Sequence, residues 1–258
     1  MPQTKIVFFD IDGTLIDMQA KKITPKMLET LHRLQERGIK ICIATGRSPM
    51  VLPKIDGVAF DAYLTFNGSL CYDRKGVIFS NPIPHKDVVR FIQNAAALGR
   101  PVCVSTRDRL AANGADTDLT DYFFIANEPV PVADDFDAVC AEDIYQLMLG
   151  CRPKDYPALL DGAPGAKIAA WWDRAVDVIP AGGGKGIGIE KMLAYYGLDK
   201  AEALAFGDGN NDREMLQAVG TGVAMENGSP ELKAIADEIC GPVYEDGIYH
   251  YCADKGLI

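Results

Sequence analysis

Short apolar runs alternate along the chain with stretches in which apolar residues recur every three or four positions. Ile6-Val7-Phe8-Phe9 is an unbroken apolar run and predicts a buried strand over Lys5–Phe9. Thr24 is a good N-cap for the next segment, which has Pro25 first, Met27, Leu28, Leu31 and Leu34 on one helical face, and Gly38 as its stop. Ile39–Ala44 and Ala62–Phe66 follow as strands. The alternation returns late in the chain, with helix Gly186–Tyr196, strand Ala203–Phe206, helix Asn210–Ala218, strand Gly222–Ala224 and helix Pro230–Ala236. Strands separated by crossover helices pair in parallel, so the two ends predict halves of one doubly wound α/β sheet.

The middle reads differently. Asn81-Pro82-Ile83-Pro84 breaks the chain, and Ala181-Gly182-Gly183-Gly184 breaks it again. Between them lie a predicted helix at Lys86–Leu98 ended by Gly99 and strands at Pro101–Ser105 and Ile144–Leu149. A hairpin of Lys167–Trp172 and Val176–Ile179, turned by Asp173-Arg174-Ala175, completes the stretch. The expected organisation is a core of residues 1–81 and 183–258, with 82–182 as an inserted α/β domain. Trp171 and Trp172 would face opposite sides of their strand, so at most one packs under it and the other either walls a pocket or packs structurally.

A chain of 258 residues buries about 70–75 % of its unfolded surface, so it needs no staple. The seven cysteines are odd in number and scattered, and read as reduced thiols of a cytoplasmic protein. The apolar run before Asp10 is too short for a secretory signal, and none approaches the roughly 18 residues of a membrane span. A formal net charge of −10 argues against nucleic acid and anionic membrane as partners. Nothing asks for an obligate protein partner. His32, His85 and His250 fall in no constellation and receive no role.

Four short stretches carry candidate chemistry. Asp10 and Asp12 stand two apart where the first strand ends, about 6.6 Å apart along the axis and on one side; the alternative is a hairpin turn with two solvated acids. Open α/β sheets bind ligands at that edge. Ala44-Thr45-Gly46-Arg47-Ser48-Pro49 follows a second strand, and Ser48-Pro49 predicts a helix start whose amides would attract an anion. Gly184-Lys185-Gly186 places a lysine at a helix N-terminus, against the dipole unless an anion offsets it. It is not a P-loop, because Gly186 follows the lysine and Pro180 stands where that motif needs glycine. Gly207-Asp208-Gly209-Asn210-Asn211-Asp212 ends another strand and sets Asp208 and Asp212 four apart. Clustered carboxylates raise one another's pKa values, and a hard divalent cation such as Mg²⁺ resolves the repulsion with carboxylates, waters and a substrate phosphate.

These residues resemble the haloacid dehalogenase superfamily, within it the Cof-like phosphatases of sugars and small metabolites that carry a large α/β cap. Phe9-Asp10-Ile11-Asp12-Gly13-Thr14-Leu15, Ala44-Thr45-Gly46-Arg47, the segment around Lys185, and Gly207–Asp212 are similar to the four family motifs in order. Further echoes are Asn67-Gly68, Met215-Leu216, Gly222-Val223-Ala224-Met225, Ala236-Asp237 and Glu245-Asp246-Gly247. One departure is Gly182-Gly183-Gly184-Lys185, where relatives often carry Gly-Val-Ser-Lys; it puts hinge stiffness and one side-chain contact in question.

The resemblance implies a Mg²⁺-dependent phosphatase acting on a small phosphorylated metabolite, a sugar phosphate being the expected class. Asp10 would be the nucleophile forming an aspartyl-phosphate, and Asp12 the general acid and then base. The metal set would be Asp10, the Asp12 backbone carbonyl and Asp208, with Asp212 orienting metal waters from behind. Thr45, Gly46, Lys185 and Asn211 would hold phosphoryl oxygens. Arg47 either contacts substrate or pairs with a core acid, and Asn67 is either a substrate ligand or a plain Asn-Gly turn. The insertion would act as a closing cap. A phosphomutase and a non-catalytic phosphometabolite sensor are the alternative readings.

Overall fold

A computed structural model describes residues 3–125, 127–170 and 172–258. The chain divides into two compact units, one of Met1–Arg47, Pro53–Ser80 and Gly184–Ile258, the other of Ser48–Leu52 and Asn81–Gly183. Among the described residues no helix is long and apolar enough to cross a membrane.

The first unit opens with β1 (Ile6–Phe9), α1 (Pro25–Glu36), β2 (Lys40–Ala44), β3 (Ala62–Thr65), β4 (Leu70–Asp73) and β5 (Gly76–Ser80). The second contributes α2 (His85–Ala97), β6 (Cys103–Ser105), β7 (Leu110–Ala112), α3 (Thr117–Phe124), α4 (Phe136–Val139), β8 (Gln146–Gly150), α5 (Tyr156–Leu160), β9 (Ala166–Ala169) and β10 (Ala175–Pro180). The chain returns to the first unit with α6 (Lys185–Tyr196), β11 (Ala203–Gly207), α7 (Arg213–Ala218), β12 (Thr221–Met225), α8 (Pro230–Lys233), β13 (Glu238–Cys240) and α9 (Gly247–Asp254).

The first unit holds an eight-stranded sheet in the order β13-β12-β11-β1-β2-β3-β4-β5. It is parallel from β13 to β3. An antiparallel β4–β5 hairpin extends the edge; its sequence was too short and mixed to predict. The sheet is doubly wound. Phe8 points into a core with Ile189 and Met192 of α6 and Met215 of α7. Phe9 points the opposite way and stacks on Phe206, whose ring meets Tyr251 of α9 edge-on. Thr24 caps α1 by accepting from the Met27 amide, and Met27, Leu31 and Leu34 form its buried stripe.

β1 lies in the middle, with β2 on one side and β11 on the other, and the register places Phe9 beside both Ile43 and Phe206. Connections leave this point in opposite directions, which opens a crevice at the carboxyl ends of the strands. The residues following β1, β2 and β11 therefore share one edge.

The second unit is an antiparallel five-stranded sheet ordered β7-β6-β8-β10-β9. Val88 and Phe91 of α2 and Leu159 of α5 pack on Val104, Leu147, Val176 and Val178 from one face. Leu119 and Phe123 of α3 cover Cys103 and Met148 on the other. The expected hairpin is shorter than its sequence suggested. β9 ends at Ala169, Trp172 lies in a bend under the Arg174 guanidinium, 4.6 Å from its ring centre, and Trp171 lies outside the described residues. Strand alternation therefore does not govern Trp172.

Candidate active site

Asp10 continues β1 by one residue, its amide donating to the Phe206 carbonyl of β11, and its side chain is buried at the sheet edge. Lys185 reaches the same point from the first position of α6. Its fully buried ammonium donates to Asp10 Oδ1 at 2.7 Å and to Asp212 Oδ1 at 2.5 Å. The adverse placement of a cation at a helix start is thus offset by two of the protein's own carboxylates.

Asp212 is drawn backward rather than along a helix. Its Oδ2 accepts from the amides of Asp208 and Gly209, both at 3.0 Å, which tightens Asn210–Asp212 into a 3₁₀ turn and delays α7 to Arg213. Asp208 Oδ1 accepts from the Thr14 hydroxyl at 3.0 Å. Gly13 makes this approach possible, because a Cβ there would lie 2.2 Å from Asp208 Oδ2 and its φ is +83°. Carboxylate oxygens of Asp10, Asp208 and Asp212 all come within 4.8 Å of one another.

Burial pushes the Asp10 carboxyl up to about 8, and the charges of Asp212 and Asp208 add to that rise while Lys185 opposes it. Burial and Asp212 likewise push Asp208 up to about 6. Burial works against the Lys185 ammonium, but Asp10 and Asp212 outweigh it and hold its pKa above the ordinary lysine range. When ionised, three carboxylates against one ammonium leave two negative charges in the cluster. A divalent cation bound by hard oxygen ligands matches both that charge and that donor set.

Asp12 is held apart from the cluster. The Arg47 guanidinium grips it in a fork, Nε to Oδ2 at 2.8 Å and one terminal nitrogen to Oδ1 at 2.6 Å, and Asp12 raises the arginine's pKa in turn. Arg47 thus pairs with an acid, one of the two roles its sequence left open. Thr45 directly follows β2, is buried, and accepts the Arg47 amide at its hydroxyl. The helix start expected at Ser48-Pro49 is only a 3₁₀ turn, Pro49–Val51, so it brings no long helix dipole to Thr45. Asn67 follows β3 in the turn Phe66–Gly68, and its Oδ1 accepts from Asn211 Nδ2 at 3.3 Å. The strand ends thus gather Asp10, Asp208, Asp212 and Lys185 in one cluster, Asp12 with Arg47 beside it, and Thr45, Gly46, Asn67 and Asn211 along the rim.

Three contributors escaped the sequence. Thr14 reads in the sequence only as part of the turn after the first strand, and only the fold brings it to Asp208. Asn227 donates to the Gly13 carbonyl at 2.8 Å and accepts from the Val243 amide at 2.9 Å, tying the turn after β1 to the C-terminal segment. Asn-Gly reads locally as a turn, so nothing signalled it. Glu214 sits against Gly184, where a Cβ would lie 1.8 Å from its Oε2. That carboxylate takes the space left by the departure at Gly184.

The profile of the haloacid dehalogenase-like hydrolase family matches residues 7–252. The chain is 35 % identical to YkrA of Bacillus subtilis, a presumed phosphatase, over 99 % of both chains. A phosphatase of the haloalkanoate dehalogenase superfamily from Bacteroides thetaiotaomicron superposes with a TM-score of 0.92 at 30 % identity, covering 99 % of this chain and 96 % of that one. A subclass IIB sugar phosphatase of the same superfamily gives 0.87 at 28 % identity, covering 99 % and 100 %. With its doubly wound core, inserted α/β unit and acidic cluster at the central strand end, the chain belongs to the haloacid dehalogenase-like hydrolases and is a phosphoric monoester hydrolase of that family.

Proposed function

We propose that the protein hydrolyses the phosphate monoester of a small metabolite, a sugar phosphate, through an aspartyl-phosphate on Asp10, in the cytoplasm. The observation that carries this reading is the division of labour at the end of β1. Asp10 lies in the cluster with Lys185, whereas Asp12, two residues on, is held away from it by Arg47.

In this reading an Asp10 carboxylate oxygen attacks phosphorus as the bond to the leaving oxygen breaks, and Asp12 gives that oxygen its proton. Asp12 then takes a proton from the water that attacks the aspartyl-phosphate, releasing phosphate and restoring Asp10. Lys185 opposes the protonation that burial favours at Asp10 and, with the Thr45 hydroxyl, the Gly46 amide and Asn211, holds phosphoryl oxygens; positioning and electrostatics supply most of the acceleration in such transfers. Magnesium, held by Asp10, the Asp12 backbone carbonyl and Asp208, would neutralise charge on the transferring group. Asp212 supports this set from behind by fixing Lys185 and the Asp208 turn.

The sugar phosphatase among the structural neighbours supports the substrate class, and the acidic cluster supports the metal. The test is phosphate release across sugar, polyol, nucleotide and coenzyme phosphates, with and without Mg²⁺ and without a bisphosphate activator. Release confined to Mg²⁺ and strongest on sugar phosphates is expected. Isomerisation without free phosphate, or no turnover of any monoester, would overturn it.

A further inference from the structure

Phe66 and Asn67 take left-handed backbone conformations in succession, at φ 50° and 51°, and neither is glycine. Such backbone is disfavoured for L-residues, least so for asparagine, and persists only where surroundings enforce it. Here they do. The Phe66 amide donates to the Arg47 carbonyl and the Asn67 amide to the Thr45 carbonyl, both at 3.0 Å. Gly68 presses against the start of α6, where a Cβ would lie 2.3 Å from the Gly184 oxygen and 3.2 Å from the Lys185 Cα. The turn is wedged between the strand end carrying Thr45 and Gly46 and the helix start carrying Lys185.

What this strained turn delivers is the Asn67 carboxamide, which is only 7 % exposed. It lies over Gly46 so closely that a Cβ there would stand 3.1 Å from both Nδ2 and Oδ1. Its Oδ1 accepts from Asn211 Nδ2, and Asn211 is otherwise an exposed side chain on a short turn. We infer that Asn67 is a positioning residue, bracing Asn211 and the Gly46 backbone so that both keep a fixed place around a phosphoryl group. The inference rests on the phosphoryl-transfer reading of this site. Asparagine suits the task, because it tolerates the left-handed backbone and offers an acceptor without the negative charge that would repel phosphate.

Asn67→Gly removes the carboxamide yet accepts the backbone, whereas Asn67→Ala removes it and strains the turn. With p-nitrophenyl phosphate as substrate, both should lower kcat by roughly tenfold to a hundredfold, as misplaced groups do, with KM little changed and orthovanadate inhibition weakened in parallel. The unfolding midpoint should fall for the alanine variant and hold for the glycine one. In the Asn67→Gly, Asn211→Ala double variant the combined loss should be clearly smaller than the product of the two single losses, because one residue acts through the other. Wild-type kcat in Asn67→Gly, a loss confined to KM, or losses that multiply in the double variant would each overturn the inference while leaving the phosphatase reading intact. A wild-type protein that turns over no monoester would overturn that reading and the inference with it.

Discussion

Each acid at the end of β1 has its role set by its partner. Asp10 faces a buried lysine and two further carboxylates, so Asp10→Asn should retain the fold and lower Mg²⁺-dependent phosphate release by at least about a thousandfold; near wild-type turnover would exclude it as nucleophile. Asp12 is gripped by a planar fork that an ammonium cannot copy. Arg47→Lys should therefore reduce kcat by about tenfold with little loss of stability, as steady-state kinetics beside a urea melt would report. The raised carboxyls have a further consequence. Asp10 and Asp208 titrate near 8 and 6 when folded, against 3.8 unfolded. Between those values the metal-free folded protein binds more protons than the unfolded chain, so their contribution makes stability fall as pH rises through that window. Lys185, also raised, has the same sign at higher pH: its contribution is fully present below the ordinary lysine range and is lost only as alkaline pH rises through its folded value. A cation competes with those protons, so the rise in melting temperature on adding Mg²⁺ should be larger at pH 8 than at pH 6. Equal shifts at both would count against this cluster as the metal site.

Among the elements, α1 shows how stability and chemistry separate. Thr24 caps the Met27 amide at 3.1 Å and donates its own hydroxyl to Asp246 at 2.5 Å, joining the helix to the turn before α9. Thr24→Ala should cost about 1–2 kcal/mol in denaturant unfolding while kcat stays unchanged; a fall in kcat at constant stability would show that α1 bears on the site. The α6 start behaves differently. There a Glu214 oxygen from α7 fills the space in which a side chain at Gly184 would stand.

Across the whole molecule, we propose that residues 82–182 carry the choice of leaving group. Exchanging that segment for the corresponding one of a relative should change the ranking of substrates and leave the Mg²⁺ requirement in place. An unchanged ranking would assign specificity to the doubly wound unit. The inserted unit is also where least was legible. Its strands are three to six residues long, and β7, α3, α4 and α5 carry too few apolar repeats to be distinguished from loop.

The sequence by itself determined the doubly wound core and the presence of acids, lysine and hydroxyl at strand ends, because burial on both faces of a parallel sheet leaves unbroken apolar runs whose ends are easy to find. It could not determine which partner each group would take. Arg47 choosing Asp12, Lys185 bridging Asp10 and Asp212, Thr14 holding Asp208 and Asn67 meeting Asn211 join residues 35, 175, 27, 194 and 144 positions apart. Such pairs have no local periodicity, since only the order of β11, β1, β2 and β3, with α6 packed on them, brings them together.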